Sequence, residues 1–340
     1  MRAFGPGRVN LIGEHTDYNE GLCLPFAIAA GVTVEVGEGP AGTIHAHAAD
    51  LEEEDTFALR EPEPATGWRA FVRGTVAELQ RAGHRLRGGT VSIRGDVRRG
   101  SGLSSSAALE VALALALLAH SGEAEPDRRA LARLCSRVEN DWVGAQTGLL
   151  DQLAALFGRA GHAVRLDMRS LAVEPVALDL GAWRLVTVDS GVEHSHAGSG
   201  YNDRRRECRA ACDALGVGSL RDASAGDADR LPAPLDRRLR HVVSENERVD
   251  GAVAALRAGD LTALGRLIDA SHASLRDDYE VSVADVDRTV ARMKDAGAAG
   301  ARMVGGGFGG SVLALFPPDA PLPPDAVEVR PGPAARVLEP

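Results

Sequence analysis

Residues 99–118 read RGSGLSSSAALEVALALALL, a glycine- and serine-rich turn that runs into an almost wholly apolar segment. Small residues let a backbone turn tightly, and the unbonded amides at the start of a helix attract anions. The hydroxyls of Ser104, Ser105 and Ser106 add further donors and a metal ligand. The stretch therefore predicts a phosphate cradle at the start of a buried helix, and a simple serine N-cap is the alternative.

The chain around this stretch has 340 residues, 38 of them basic and 48 acidic, with a formal net charge of -10. This balance argues against broad attachment to nucleic acid or to anionic lipid. Lys294 is the one lysine, and it lies in a predicted helix rather than at the end of a glycine-rich turn. A Walker A loop, a protein-kinase strand lysine and Schiff-base chemistry are therefore excluded.

The longest apolar stretch, residues 107–118, contains Glu110 and is too short to span a bilayer. The polar, glycine-containing N-terminus does not resemble a secretory signal. Four cysteines show no framework spacing, so we expect inert thiols, although Cys208 and Cys212 share a helical face that would suit a metal pair. These observations predict a cytoplasmic protein without a membrane partner, and we expect a monomer.

Hydrophobic periodicity predicts strands early in the chain, then helices, and then a last strand. The predicted strands are 32–37, 43–48, 90–95, 162–168, 173–178, 183–189 and 311–316. The predicted helices are 68–82, 104–119, 127–143 with Asp127 as its cap, 200–215, 235–258, 260–275 and 283–297. This order indicates an α+β fold in two lobes, with residues 1–180 and 181–340 as the two domains and at most a short edge strand in the proline-rich tail.

A second polar segment, GPGRVNLIGEHTDY, occupies residues 5–18. Arg8 precedes Glu14, His15 and Asp17, and clustered carboxylates in a loop suit the hydroxyls of a polyol or sugar. A solvated loop with ordinary surface charges is the alternative. A metal site is a weaker alternative, because this spacing has no established ligand geometry.

Three further features complete the pattern. Residues 305–310, GGGFGG, indicate backbone that must approach a ligand or another segment closely, or else a flexible turn. Asp151 lies among leucines in GLLDQLAALFG, so its carboxylate is functional, paired, or the N-cap of a short helix. Glu139 falls late in a predicted helix, where the helix dipole slightly disfavours an acid.

Together these segments resemble the GHMP kinase superfamily, and within it the galactokinase family. Residues 7–28 are similar to the galactokinase signature, 100–112 to the ATP loop of the superfamily, and 305–310 to its C-terminal glycine motif. WRAFVRG (68–74), SGYNDRRREC (199–208) and RDDYEVS (276–282) are similar to galactokinases specifically. The resemblance implies a two-lobed GHMP kinase fold, with an N-terminal lobe like ribosomal protein S5 domain 2 and a ferredoxin-like C-terminal lobe. It also implies phosphoryl transfer from ATP to the anomeric hydroxyl of galactose, with Mg²⁺.

The resemblance also assigns roles to individual positions. Asp151 matches the catalytic aspartate, either as a true base or as a positioning group, and Arg8 matches the arginine that faces it. The remaining matches are sugar contacts at Glu14, His15, Asp17, Gly148 and Tyr201; the ATP loop at Gly100, Ser101, Gly102, Leu103, Ser104, Ser105 and Ser106; Trp68 beside the adenine; and magnesium ligands at Ser106 and Glu139.

Three other functions remain open at this point. A kinase for another sugar differs only in which acceptor an epimeric hydroxyl meets. Superfamily branches that act on mevalonate or homoserine fit the GEHTDY stretch less well. A sensor that binds galactose and ATP without turnover would have no need of Asp151, Ser106 and Glu139, yet all three are present.

Overall fold

The computed structural model describes residues 1–97, 102–192 and 197–338. Its strands are β1 (Arg2–Asn10), β2 (Leu22–Cys23), β3 (Pro25–Gly37), β4 (Thr43–Ala48), β5 (Glu53–Ala58), β6 (Gly89–Gly95), β7 (His162–Asp167), β8 (Ala172–Ala177), β9 (Arg184–Asp189), β10 (Gly300–Met303), β11 (Ser311–Phe316), β12 (Val327–Glu328) and β13 (Arg336–Leu338). Its helices are α1 (Trp68–Arg81), α2 (Ser105–Ser121), α3 (Arg128–Arg137), α4 (Leu150–Phe157), α5 (Ala197–Leu215), α6 (Leu235–Ala258), α7 (Leu261–Asp277) and α8 (Ala284–Asp295). Among the helices of these described ranges, none combines the length and the apolar character that crossing a bilayer requires.

A six-stranded sheet in the order β13-β1-β3-β6-β4-β5 organises the first half of the chain. Helix α2 packs against β1 and β3, and its residues from Ala107 to Leu118 are all buried. A helix that is apolar on every side must lie inside the protein, where each fully buried leucine contributes roughly 1.5–3 kcal/mol. This packing brings the serine-rich start of α2 to β1, where the backbone amide of Arg8 donates to the Leu103 carbonyl over 3.0 Å.

A four-stranded antiparallel sheet in the order β10-β11-β9-β12 organises the second half. Helices α7 and α8 pack against β10, and α6 packs between α5 and α7. Residues 305–310 lie between β10 and β11, which pair in antiparallel register. The glycine-rich segment therefore forms the turn of a hairpin whose two strands are fully buried.

The two halves share a buried apolar junction. Val9 at the end of β1 and Leu11 just after it belong to one cluster with Val253 of α6, Leu264 of α7 and Leu313 of β11. The small sheet β2-β7-β8 contributes Leu22, Ala163 and Val176 to the same cluster. Because of this junction, the loop that follows β1 is held between the two halves and can contact side chains of both.

Most of the predicted elements are present, and the differences have physical causes. Helix α3 ends at Arg137, and one π-helical turn, Val138–Val143, replaces the rest of the predicted helix 127–143. Strands β1 and β5 were not predicted. In β1 the polar residues Arg8 and Asn10 are buried, which removes the alternation that marks a half-exposed strand. Asp127 caps α3 as predicted, accepting from two backbone amides.

The C-terminal tail returns to the first sheet. Up to residue 338, where the described part ends, it contains two short strands and no helix, and β13 pairs with β1 in antiparallel register. On the way, the Gly332 amide donates to the Ala27 carbonyl and the Ala335 amide to the Ala155 carbonyl. The domain boundary near residue 180 stays a prediction. The end of the chain pairs with the first sheet, so the first half of the structure contains residues from both ends of the sequence.

Candidate active site

A cavity of about 210 Å³ opens where the two halves meet, and it collects the residues predicted for the reacting pair and the sugar site. Its walls come from β1, the loop after β1, the segment before α4, α5 and the glycine-rich hairpin. The lining residues are Arg8, Glu14, His15, Asp17, Ala145, Gln146, Thr147, Gly148, Leu150, Asp151, Tyr201, Asn202, Gly305 and Gly306. Seven residues predicted to form the reacting pair and the sugar site thus share one cavity.

Arg8 and Asp151 form a two-point ion pair at one wall. Arg8 Nε donates to Asp151 Oδ1 and Nη2 to Oδ2, each over 2.7 Å. The Ser104 hydroxyl donates to the same Oδ2 over 2.6 Å, and Arg8 Nη1 donates to the Gly102 carbonyl over 2.5 Å. Both carboxylate oxygens are therefore oriented, and the pair is tied directly to the serine-rich turn.

The N-cap interpretation of Asp151 is wrong. Leu149 is the residue that flanks α4, and Asp151 lies inside the first turn with its carboxylate on Arg8 rather than on the backbone. The carboxylate gains from the positive end of the helix dipole. Burial opposes the charged form of Arg8, but Asp151 and Glu14 outweigh burial and raise the pKa of the guanidinium.

Glu14 is held by the second half of the chain. One of its oxygens, Oε1, accepts from the Gly305 amide over 2.8 Å and pairs with Arg302 Nη2 over 2.7 Å. Arg302 is fully buried in β10. The close backbone approach predicted for the glycine-rich segment is confirmed, and its target is a carboxylate of the predicted sugar loop.

His15 and Asp17 lie in the tight loop between β1 and β2. His15 has a φ of 62°, a left-handed conformation in which histidine is enriched among non-glycine residues. Gly13 starts the loop with a φ of 98°, and an added Cβ there would lie 2.6 Å from the Leu22 carbonyl oxygen. The Thr16 hydroxyl donates to the carbonyl oxygens of Gly13 and Leu22, which closes the loop.

Asp17 faces the cavity beside the backbone of Gly148. A Cβ at Gly148 would lie 2.0 Å from Asp17 Oδ2, so any side chain there would displace the carboxylate of Asp17. Burial, and then the charge of Asp151, raise the pKa of Asp17 to about 7. Tyr201 of α5 covers the same space, with its ring centroid 5.2 Å from that of His15.

Glu139 lies in the π-helical turn after α3 and is buried. Its Oε2 accepts from Thr147 Oγ1 and from Gln152 Nε2, each over 2.9 Å, and Ser106 also bonds to this carboxylate. Burial and the charge of Asp151 raise its pKa. Across the three described ranges, no trio of His, Cys, Asp or Glu side chains is arranged to hold a metal by itself. A cation here would need further oxygen ligands, such as those of a bound phosphate.

A larger cleft of about 1030 Å³ lies on the other side of the serine-rich turn. Ser105, Ser106 and Trp68 line it, together with apolar side chains such as Phe71 and Leu109. Trp68 Nε1 donates to Glu53 over 2.8 Å, which holds the indole at the rim. Of the other predicted ATP-loop residues, Gly102, Leu103 and Ser104 border Arg8 and Asp151, and the predictions at Gly100 and Ser101 lie outside the described residues.

Sequence reasoning missed several residues that hold the site together. The Ser104 hydroxyl was assigned to ATP alone, and Gln152 and Arg302 were not assigned at all. Gln152 follows Asp151 directly, and this adjacency was a usable signal. Arg302 gave none, because its partner Glu14 is near the other end of the chain. All four cysteines are buried and form no disulfide, as expected of inert thiols.

Comparisons with known proteins match this chain over most of its length. Three family models match: the galactokinase galactose-binding signature at residues 1–38, the GHMP kinases N terminal domain at 70–159 and GHMP kinases C terminal at 252–325. A galactokinase of Roseiflexus sp. is 46% identical over 91% of this chain and 82% of its own length. A galactokinase of Mycobacterium tuberculosis is 46% identical over 92% of this chain and 88% of its own.

Solved structures give the same result. A crystal structure of Lactococcus lactis galactokinase complexed with galactose superposes with a TM-score of 0.92 at 32% identity, covering 99% of this chain and 95% of that one. The mevalonate kinase of Methanococcus jannaschii superposes with a TM-score of 0.70 at 17% identity, covering 94% and 92%. The second likeness supports the fold alone.

Proposed function

The chain belongs to the galactokinase family of the GHMP kinases, and from this premise we propose that the cavity at Asp151 transfers the γ-phosphoryl group of ATP to the C1 hydroxyl of galactose, giving galactose 1-phosphate and ADP. One observation carries the proposal. Asp151 is fixed by Arg8 at the wall of a polar cavity, and the same carboxylate touches the serine-rich turn that borders the larger cleft. An acceptor hydroxyl and a triphosphate can therefore meet at one carboxylate.

The sugar occupies the smaller cavity. Glu14 and the ionised form of Asp17 accept hydrogen bonds from sugar hydroxyls, His15 and Tyr201 offer further polar groups, and the Gly148 backbone closes the floor. Arg302 and the Gly305 amide engage one oxygen of Glu14, which leaves its other oxygen for the ligand.

Asp151 orients the attacking hydroxyl and can accept its proton. Arg8 holds the carboxylate in place and adds positive charge beside the transferring phosphoryl group. A loose phosphoryl-transfer transition state needs little activation of the nucleophile, so orientation is the larger part of the role of Asp151. The ordered position of both carboxylate oxygens supports this view.

The nucleotide occupies the larger cleft. Residues 100–106 cradle its phosphates at the start of α2, where backbone amides and the helix dipole favour negative charge. Trp68 lies at the rim of the same cleft and offers an aromatic face to the base.

Ser106 and Glu139 would hold Mg²⁺ together with the ATP phosphates. Their mutual contact and hard oxygen donors fit an ion that keeps several waters and takes few protein ligands. When bound, the ion neutralises charge that develops on the phosphate oxygens. Thr147 and Gln152 orient Glu139 for this role. We also propose a cytoplasmic location, since four cysteines without disulfides suit a reducing compartment and the net charge disfavours nucleic acid and anionic membranes. A monomer remains our proposal for the oligomeric state.

A coupled assay of ATP consumption tests the proposal directly. Galactose, glucose, talose, galactosamine and arabinose are compared in one plate, with Asp151→Asn as the control for turnover at this site. We expect turnover with galactose to exceed that with each of the other sugars, and to be largely lost in the variant. Binding of galactose and ATP without turnover would instead identify a sensor.

A further inference from the structure

His15 stands at the end of a chain of buried hydrogen-bonding groups that the proposed mechanism does not use. His15 Nδ1 lies 2.8 Å from the hydroxyl of Tyr18, which lies 2.9 Å from the hydroxyl of Tyr279. The Tyr279 hydroxyl lies 3.0 Å from Cys208 Sγ, and Asn19 Nδ2 donates to that sulfur over 3.5 Å. His15, Tyr279 and Cys208 are all at most 3% exposed, so water does not compete with these contacts.

The other ring nitrogen of His15 lies at the wall of the cavity. His15 Nε2 is buried against the backbone of Gly306 and has no other hydrogen-bond partner within the described part of the chain, and both residues line the predicted sugar site. Burial, and then the nearby ring of His241, lower the pKa of His15 to about 3. The imidazole is therefore neutral, and only one of its nitrogens carries a proton.

The chemistry of the groups decides which nitrogen that is. A phenol is a strong donor and an imidazole lone pair is a strong acceptor, whereas a thiol is weak in both senses. The most favourable arrangement has Tyr18 donating to Nδ1 of His15. Tyr279 then donates to Tyr18, the Cys208 thiol donates to Tyr279, and Asn19 donates to the sulfur. Each hydroxyl in this arrangement both donates and accepts, and because Tyr18 donates to Nδ1, the proton of His15 is on Nε2.

We propose that Tyr18 and Tyr279 fix His15 as the Nε2–H tautomer, so that the ring presents a hydrogen-bond donor to a hydroxyl oxygen of the sugar. Glu14 and ionised Asp17 can only accept hydrogen bonds. A donor at His15 therefore lets the site bind a sugar hydroxyl whose oxygen accepts a hydrogen bond. This inference rests on the proposed function, because it assigns a role within the sugar site. Tyr18 and Tyr279 act through His15 and are positioning residues.

The proposal also accounts for two motifs that the mechanism leaves over. Tyr279 belongs to RDDYEVS at residues 276–282, and Cys208 ends SGYNDRRREC at residues 199–208. Both segments lie in the second half of the chain, whereas His15 and Tyr18 lie in the first. Through this hydrogen-bond chain, Tyr279 and Cys208 of the second half influence which ring nitrogen of His15, in the first half, carries the proton.

Nitrogen NMR of protein labelled at histidine tests the tautomer without any activity measurement. The His15 signals are assigned by their absence in His15→Gln. We expect Nδ1 to resonate as an unprotonated acceptor and Nε2 as a protonated nitrogen at neutral pH. Tyr18→Phe removes the donor to Nδ1 and should shift both signals towards a mixture of tautomers. Protonated Nδ1 in the wild-type protein would overturn the proposal.

Kinetics test the consequence for the sugar. Tyr18→Phe should raise KM for galactose about tenfold, the effect of losing roughly one well-placed hydrogen bond, with KM for ATP unchanged. Tyr279→Phe should act in the same direction and more weakly, since Tyr18 still bonds to His15. Thr75→Val is the matched control, because it removes a buried hydroxyl in α1 that has no partner among the described residues. It should leave KM for galactose unchanged.

A series of monodeoxygalactoses completes the test. For the analogue that lacks the hydroxyl facing His15, wild type and Tyr18→Phe should have the same KM, while the other analogues keep the tenfold difference. An equal difference for every analogue would show that Tyr18 acts through general packing and would refute the proposal. Failure of the proposed function can be distinguished from failure of this inference. If the proposed function were wrong, wild-type protein would turn over no galactose, whatever tautomer the NMR spectrum showed.

Discussion

Replacing Asp151 by asparagine removes the charge of the central carboxylate and keeps its shape. Asp151 accepts two hydrogen bonds from Arg8 and one from Ser104, which together use both oxygens. An asparagine amide placed at either oxygen position puts N–H groups against those of Arg8. The variant therefore loses the acceptor for the sugar proton and also the two-point hold of the guanidinium.

We expect kcat to fall by roughly 10²-fold or more, which corresponds to about 3 kcal/mol of transition-state stabilisation. Galactose affinity should be largely kept, because Glu14, Asp17 and the other sugar contacts are untouched. Steady-state kinetics measures the first quantity and isothermal calorimetry the second. Near-normal kcat in Asp151→Asn would remove this carboxylate from the mechanism.

Asp55→Asn is a matched control for the structural part of this change. Asp55 also accepts two bonds from one guanidinium, that of Arg73, over 2.8 and 2.9 Å, and it is 8% exposed. The two variants should lower the free energy of unfolding by a similar amount, roughly 1–3 kcal/mol. Asp55→Asn should leave kcat unchanged, so an equal loss of kcat in both variants would mean that the effect of Asp151→Asn is structural.

Three further predictions concern Asp17, Gly148 and Glu139. The pKa of Asp17, raised to about 7, means that the folded state holds a proton there at acidic pH, so this carboxyl favours folding at low pH and loses that contribution as the pH rises through about 7. Because ionised Asp17 accepts from the sugar, kcat/KM for galactose should rise over the same range, and a pH profile as steep in Asp17→Asn would contradict this. Gly148→Ala puts a methyl group 2.0 Å from Asp17 Oδ2 and should weaken galactose binding in calorimetry by tenfold or more, whereas Gly251→Ala, with 3.4 Å of space, should bind normally. Glu139→Ala should raise the Mg²⁺ concentration required for half-maximal activity, and an unchanged magnesium titration would count against Glu139 as a ligand.

Local pattern predicted the elements that depend on local forces. Helix α2 and strand β4 follow from continuous and alternating hydrophobicity, and the cap at Asp127 follows from its position before α3. Strand β1 escaped detection because Arg8 and Asn10 are buried within it. Their burial is a property of the assembled site, where Arg8 meets Asp151, and no window of sequence around β1 contains that information.

The residues of the site were located by motif, but their partners were not. Asp151 and Arg8 were expected to face each other, and the structure places them in direct contact. The hold of Arg302 on Glu14 and the chain from His15 to Tyr279 join segments from opposite ends of the sequence. Such contacts are set by the packing of the two halves, which hydrophobic periodicity and motif spacing in the sequence do not reveal.

The division of labour between the two halves has a consequence for how such a cavity can change. Arg8 and Asp151 both belong to the first half, whereas Glu14 and His15 depend on groups supplied by the second. Substitutions in the second half can therefore change which sugar binds and how tightly it binds, while Asp151 remains held by Arg8. New substrate preferences could accordingly arise through distant replacements, with little damage to turnover.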